Sequence, residues 1–125
     1  MKLHLNSNSQ DFQIRSCTLG ETGFRVSIGD KTLSNSLVVS PSFLEEWDIG
    51  DFDQLSESHF DRLAGFPCEV MILGTGKQTR FPKPSDYRPL VEAGIGLEVM
   101  DTAAACRTYN ILLGDGRQVV AALIL

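Results

Sequence analysis

Four consecutive apolar residues, Val70-Met71-Ile72-Leu73, run directly into Gly74-Thr75-Gly76-Lys77-Gln78-Thr79-Arg80-Phe81-Pro82. A short unbroken apolar run fits a strand buried on both faces, as in parallel sheets. A second strand pattern follows at Gly96-Leu97-Glu98-Val99-Met100, and it ends at Asp101-Thr102. Ala103-Ala104-Ala105-Cys106-Arg107-Thr108-Tyr109-Asn110 then reads as a helix. If the two strands are parallel neighbours, the glycine loop and Asp101-Thr102 leave the same sheet edge, where open α/β sheets build their sites.

The rest of the second half continues this alternation. The pattern predicts strands at Val70–Leu73, Leu97–Met100 and Val119–Leu125, with helices near Pro84–Ala93 and Thr102–Leu113. Gly94 and Gly114 fall where C-terminal helix caps belong. Pro89 is expected to shorten or kink the first helix. Strand–helix–strand units of this kind make parallel crossovers. The last strand runs to the final residue, so that end is expected to be buried.

The first half has a different style. Phe12, Ile14 and Leu19 alternate loosely with polar residues, and Phe24, Val26 and Ile28 alternate strictly with Arg25 and Ser27. That is a half-buried strand pattern. Gly20-Glu21-Thr22-Gly23 and Gly29-Asp30-Lys31 supply turns. Leu37-Val38-Val39 is read as continuing this meander until Pro41 breaks it. Phe43-Leu44 and Trp47 are read as an apolar flap over the sheet, with Trp47 in the core. Ser56, Phe60 and Leu63 suggest a short serine-capped helix ending near Gly65. The fold class expected is α/β: an N-terminal β-meander followed by a βαβαβ unit, its sheets covered by two main helices. All 125 residues are expected to form one domain.

Composition narrows the function classes. Hydrophobic content of 42% and charged content of 22% are ordinary for a globular protein. A net charge of −5 argues against nucleic-acid binding, which needs a basic stripe. It also argues against docking on an anionic membrane. No stretch approaches the ~20 apolar residues of a membrane helix. The opening Met1-Lys2-Leu3-His4-Leu5-Asn6-Ser7 turns polar at once and does not resemble a secretory signal. The expected location is therefore cytoplasmic.

The metal-ligand types are scattered. Cys17, Cys68 and Cys106 form no C-x-x-C pair, and His4 and His59 lie apart from each other and from any cysteine. Neither a zinc site nor a disulfide framework follows. Asp48, Asp51 and Asp53 lack the EF-hand order of glycine and terminal glutamate, so they read as a solvated acidic loop. No metal and no cofactor is implied.

The chemistry-bearing candidates gather at the sheet edge. A dinucleotide fingerprint beginning at Gly74 needs glycine where Thr79 stands, and a P-loop needs glycine at Met71 and Ser or Thr at Gln78. Both signatures fail. A weaker reading is an anion nest of backbone N–H groups on Gly74, Thr75 and Gly76, assisted by Lys77 and Arg80. The plain alternative is a tight turn that needs glycine for its backbone angles. Thr102 is placed to cap the second helix, with Asp101 beside its positive end. Thr102, Cys106 and Asn110 share one helix face, with Ala103 and Arg107 on the adjacent stripe. A helix N-terminus and Arg107 would lower the Cys106 thiol pKa, which makes Cys106 the one nucleophile candidate. It lacks an evident base. The plain reading is a cysteine packed between helix and sheet. Arg107 is read as a partner for Asp101 or for an acidic ligand.

Three segments together resemble a known family. They are Leu73-Gly74-Thr75-Gly76 with Arg80-Phe81-Pro82, the run Gly94 to Thr102, and Ala105-Cys106-Arg107-Thr108-Tyr109-Asn110. This combination is similar to the Mth-type family of small domains of unknown function. That family includes bacterial and archaeal single-domain proteins and the mitochondrial complex I assembly factor 3. The resemblance implies an α/β domain with helix-covered sheets and no established enzymatic activity. It also implies a role like that of the eukaryotic relative, a non-catalytic assembly factor. The expectation is a non-catalytic interaction module with a protein partner and no membrane insertion. Its binding crevice would comprise Gly74, Thr75, Gly76, Lys77, Arg80, Asp101, Thr102 and Arg107. The alternative is a protein binding a small molecule or anion, or a cryptic enzyme using Cys106 in that crevice. The third possibility is a structural subunit that self-associates through a sheet edge.

Overall fold

The apolar run at 70–73 forms a strand with both faces covered, in a computed structural model that describes residues 2–4 and 12–125. The strands are β1 (Lys2–His4), β2 (Ile14–Gly20), β3 (Gly23–Ile28), β4 (Lys31–Leu33), β5 (Leu37–Val39), β6 (Phe43–Glu46), β7 (Val70–Gly74), β8 (Gly96–Met100) and β9 (Val119–Leu123). The helices are α1 (Glu57–Leu63), α2 (Pro84–Glu92) and α3 (Thr102–Gly114). Six strands form a mixed sheet in the order β1-β6-β5-β9-β7-β8, and β2-β3-β4 form a second, antiparallel sheet.

β7 pairs in parallel with both β8 and β9, as the βαβαβ pattern requires. It sits between them, so its N–H and C=O groups are all engaged by neighbours. Alternate residues of β7 and β9 point to opposite faces. Val70, Ile72, Val119, Ala121 and Leu123 pack with Ala105, Cys106 and Tyr109 of α3. Met71, Leu73, Val120 and Ala122 pack instead with Phe60 and Leu63 of α1 and Leu90 of α2. The main sheet is therefore covered on both faces, which is why these strands read as unbroken apolar runs.

The first half departs from the expected meander. Only β2, β3 and β4 form one; β5 leaves it and pairs antiparallel with β9 in the main sheet. The Phe43-Leu44 segment is not a flap but strand β6, paired with β5 through Leu37↔Glu46 and Val39↔Leu44. Ser40 makes the reversal: its hydroxyl accepts from the backbone N–H groups of Ser42 and Phe43, each at 3.1 Å. The chain contributes β5 and β6 to the helix-covered sheet and keeps β2–β4 as a separate layer against α3.

Helix ends follow local chemistry with small shifts. Ser56 caps α1, and its backbone N–H donates to His59 Nδ1 at 3.2 Å. The Nε2 of the same ring lies 3.3 Å from the Asp48 carbonyl, so His59 is a structural bracket between helix and loop. The side chain of His4 lies outside the described residues, as do residues 5–11. α2 carries Pro89 in its interior and still continues to Glu92. Gly94, at φ +74°, follows that helix as expected. For α3 the left-handed residue is Gly116 rather than Gly114, which is still helical. The strand pattern at the C-terminal end stops at Leu123, but the pairing goes on: Ile124 N–H donates to the Gly74 carbonyl (2.9 Å), and the Leu125 carbonyl accepts from Phe24 N–H (3.1 Å). Trp47 is buried in the core on the α1 side.

The small sheet is held to α3 by one side chain in particular. Asn110 accepts from Ile14 N–H through Oδ1 (2.9 Å) and donates to the Ile14 carbonyl through Nδ2 (2.7 Å). The amide therefore mimics a neighbouring strand. Tyr109, wholly buried, donates to the Phe12 carbonyl at 3.3 Å. Replacing Asn110 with Ala orphans two backbone groups. Asn110→Ala is expected to cost about 2 kcal/mol in urea unfolding. It is also expected to raise the exchange rate of the Ile14 amide before that of β7 amides. Unchanged stability would mean the clamp carries no energy.

Candidate functional site

Four strand and helix ends meet at the C-terminal edge of β7, and one hydroxyl joins them. Thr102, the first residue of α3, is fully buried. Its Oγ1 donates to the Ile124 carbonyl at 2.7 Å and accepts from Gly76 N–H at 2.8 Å. Thr102 N–H in turn donates to the Gly76 carbonyl at 2.9 Å. The helix cap itself is Asp101, whose Oδ1 accepts from Ala104 N–H at 2.9 Å. The sequence spacing assigns the capping role to Thr102. The extended backbone of Asp101 makes it the cap instead and frees the threonine hydroxyl for the loop.

The glycine loop folds on itself. Thr75 is buried, and its N–H donates to the Met100 carbonyl at 2.9 Å. Its Oγ1 reaches the Gln78 carbonyl at 2.5 Å and accepts from Arg80 N–H at 3.2 Å. The N–H groups of Thr75, Gly76 and Arg80 are thus engaged inside the protein. Gly74 is required by space: a Cβ there would meet Leu123 Cδ2 at 3.0 Å and both Ala105 Cβ and Thr102 Oγ1 at 3.1 Å. Gly76 is required by its backbone, at φ +98°.

The two loop cations differ. Arg80 Nη2 pairs with Asp53 Oδ1 at 2.6 Å, and its guanidinium lies 4.4 Å from the Phe52 ring centre. The aspartates of the acidic loop are exposed, as that reading expects, and Asp53 links the loop to the glycine loop. Asp51 serves that loop internally, accepting from Asp53 N–H at 2.9 Å. Lys77 is exposed, as are Gln78, Thr79 and Phe81, the last at 75%.

Gly74, Thr75, Gly76, Lys77, Arg80, Asp101 and Thr102 are thus assembled along one edge. Arg107 and Cys106 are elsewhere: they line a groove between α3 and β2, together with Cys17. Burial pushes the Cys106 thiol well above the usual thiol range. The adjoining Cys17 raises it further, and Arg107 opposes only weakly. The lowered pKa expected from the helix start and Arg107 is therefore reversed, because β2 seals the thiol from water. Asp101, read as a partner for Arg107, spends its carboxylate on the cap. Among the described residues no cluster of three His, Cys, Asp or Glu side chains is placed to hold a metal ion. Sequence reasoning missed the Arg80–Asp53 pair, the Ile124 bond and the Cys17–Cys106 neighbourhood. Each joins residues more than twenty positions apart, and none carries a local signal.

A twisted helix-covered sheet with its loops gathered at this edge defines a small α/β domain, and sequence comparison gives it a family. The profile of a family described as "Protein of unknown function (DUF498/DUF598)" matches residues 17–124, and the chain belongs to that family. The Bos taurus NADH dehydrogenase [ubiquinone] 1 alpha subcomplex assembly factor 3 is 34% identical over 86 residues, 67% of this chain and 47% of that one. The Xenopus tropicalis protein of the same name is 32% identical over 110 residues, 86% of this chain and 58% of that one. The chain thus spans about half the length of these curated relatives. A Bordetella pertussis protein, described as a Mth938-like domain, superposes with a TM-score of 0.77 at 28% identity, covering 99% of this chain and 92% of that one. The resemblance and the α/β fold class read from the sequence both stand.

Gly74→Ala tests the close packing at this edge. The added methyl has three buried neighbours at the limit of contact, so a loss of about 1–3 kcal/mol is expected in chemical denaturation. A neutral effect would show that the edge is loosely packed.

Proposed function

We propose that residues 1–125 act as one cytoplasmic, non-catalytic protein-binding module that assists assembly of a respiratory or other multisubunit complex. The observation that carries the reading is the similarity, at 31–34% identity over two thirds or more of this chain, to vertebrate proteins named as complex I assembly factors. The site geometry supports binding over chemistry. The polar groups at the β7 edge are engaged with one another, and Cys106 lines a groove away from that edge. Among the described residues no helix is long and apolar enough to cross a membrane.

The binding surface in this proposal is the crevice rim. Thr75, Thr102 and Asp101 shape it, and Lys77–Phe81 presents it outward. Arg80, stacked on Phe52 and paired with Asp53, links that segment to the 52–53 turn. Phe81 offers an exposed apolar anchor beside the Lys77 charge.

The test is genetic and biochemical together. The gene is deleted in its native host, and assembled respiratory complex I is measured on native gels. Wild type and a Lys77→Ala, Phe81→Ala double variant are then returned. Reduced complex I after deletion, restored by wild type and not by the variant, is the expected result. Normal complex I after deletion would remove the respiratory assignment. Full rescue by the variant would remove the rim.

A further inference from the structure

The groove between β2 and α3 holds chemistry that assembly does not use. Cys17 and Cys106 line it together with Ser16, Ala103 and Arg107. Cys17 is near enough to Cys106 to raise its thiol pKa. Both belong to the core region on the α3 side of the main sheet. Cys68 packs on the opposite side, with the α1 and α2 helices, so the sheet separates it from this pair.

Two features set the two cysteines on facing sides of the groove. The Asn110 clamp anchors Ile14 to α3 one helical turn beyond Cys106. The β2–β3 register then shifts between Ile14 and Ser16, which re-aims the residues that follow. The exposures are unequal. Cys106 is buried at 3%, whereas Cys17 is only partly buried. One reachable thiol backed by one sheltered thiol is the arrangement of an attacking and a resolving cysteine.

We propose that Cys17 and Cys106 form a dithiol site that reacts with low-molecular-weight disulfides, Cys17 as the entry thiol and Cys106 as the resolving thiol. Cys17 loses its proton to solvent, and its sulfur attacks one sulfur of the small disulfide. A Cys17 mixed disulfide forms, and the first small thiol leaves. Cys106 then loses its proton, and its sulfur attacks Cys17 Sγ. The internal disulfide forms and the second small thiol leaves. In balance, two protein thiols are oxidised to one disulfide, and one small disulfide is reduced to two thiols. Resolution depends on proximity, with the Arg107 guanidinium beside the developing thiolate. The product ties the β2–β4 layer covalently to α3.

The experiment uses the full chain and oxidised glutathione as the probe, followed by peptide mapping under non-reducing conditions. Wild type is expected to yield a Cys17–Cys106 linked peptide, to lose two hydrogens by intact mass and to retain no glutathione. Dithiothreitol restores the starting mass. Cys106→Ala is expected to retain glutathione on Cys17, and Cys17→Ala to leave Cys106 unmodified. Circular dichroism verifies that each variant is folded, and the wild-type map stands without them. Stable glutathionylation of wild-type Cys17 with no internal bond would overturn the proposal. So would a linkage through Cys68, or no reaction at Cys17 and Cys106.

Discussion

The arrangement of the site edge depends on the Thr102 hydroxyl. It is the shared atom between the loop after β7, the first turn of α3 and the segment after β9, because it donates to Ile124 and accepts from Gly76. The group is fully buried, so each bond it makes replaces one that water cannot supply. Gly74 completes the join by leaving room for the threonine, Leu123 and Ala105 to close over it. A loop that would otherwise be an open glycine turn becomes part of the packed structure.

That constraint bears on function. A phosphate-binding loop keeps its N–H groups pointing outward for a ligand. Here the loop spends those of Thr75, Gly76 and Arg80 internally, and Asp101 occupies the α3 start with a carboxylate. What remains on the outside is a side-chain surface, with Lys77 and Phe81 held by the Arg80–Asp53 bracket. In the proposed function, that rim is the surface that meets a protein partner. The groove on the other side of α3 is a separate feature. Its chemistry comes from two sulfurs and not from the loop.

The sequence revealed the elements whose signal is local. The apolar run at 70–73, the caps around 94 and 101, and the alternation at 24–28 each placed a strand or helix within a few residues of its position. Pairing was harder to read. Leu37-Val38-Val39 looks the same whether it joins β4 or β9, and its true partner lies more than eighty residues away. Phe43-Leu44 reads as a flap because pairing with a strand of three residues leaves little periodicity in the sequence. At the site, the glycines, Thr102 and Asp101 were identifiable from spacing, while the exchange of roles between Asp101 and Thr102 depended on one backbone angle. Cys106 was misjudged electrostatically, since helix start and Arg107 are visible in sequence but the covering by β2 is not.

The most direct measurement compares Thr102→Val with Thr102→Ser by chemical denaturation and by amide exchange at Gly76. Valine keeps the shape and removes the hydroxyl, whereas serine keeps the hydroxyl. The account predicts that Thr102→Val loses about 2–3 kcal/mol and unprotects the Gly76 amide. Thr102→Ser is predicted to lose about 1 kcal/mol, the cost of one buried methyl, and to keep Gly76 protected. Equal stability of the two variants, with Gly76 protected in both, would contradict the claim that this hydroxyl organises the edge.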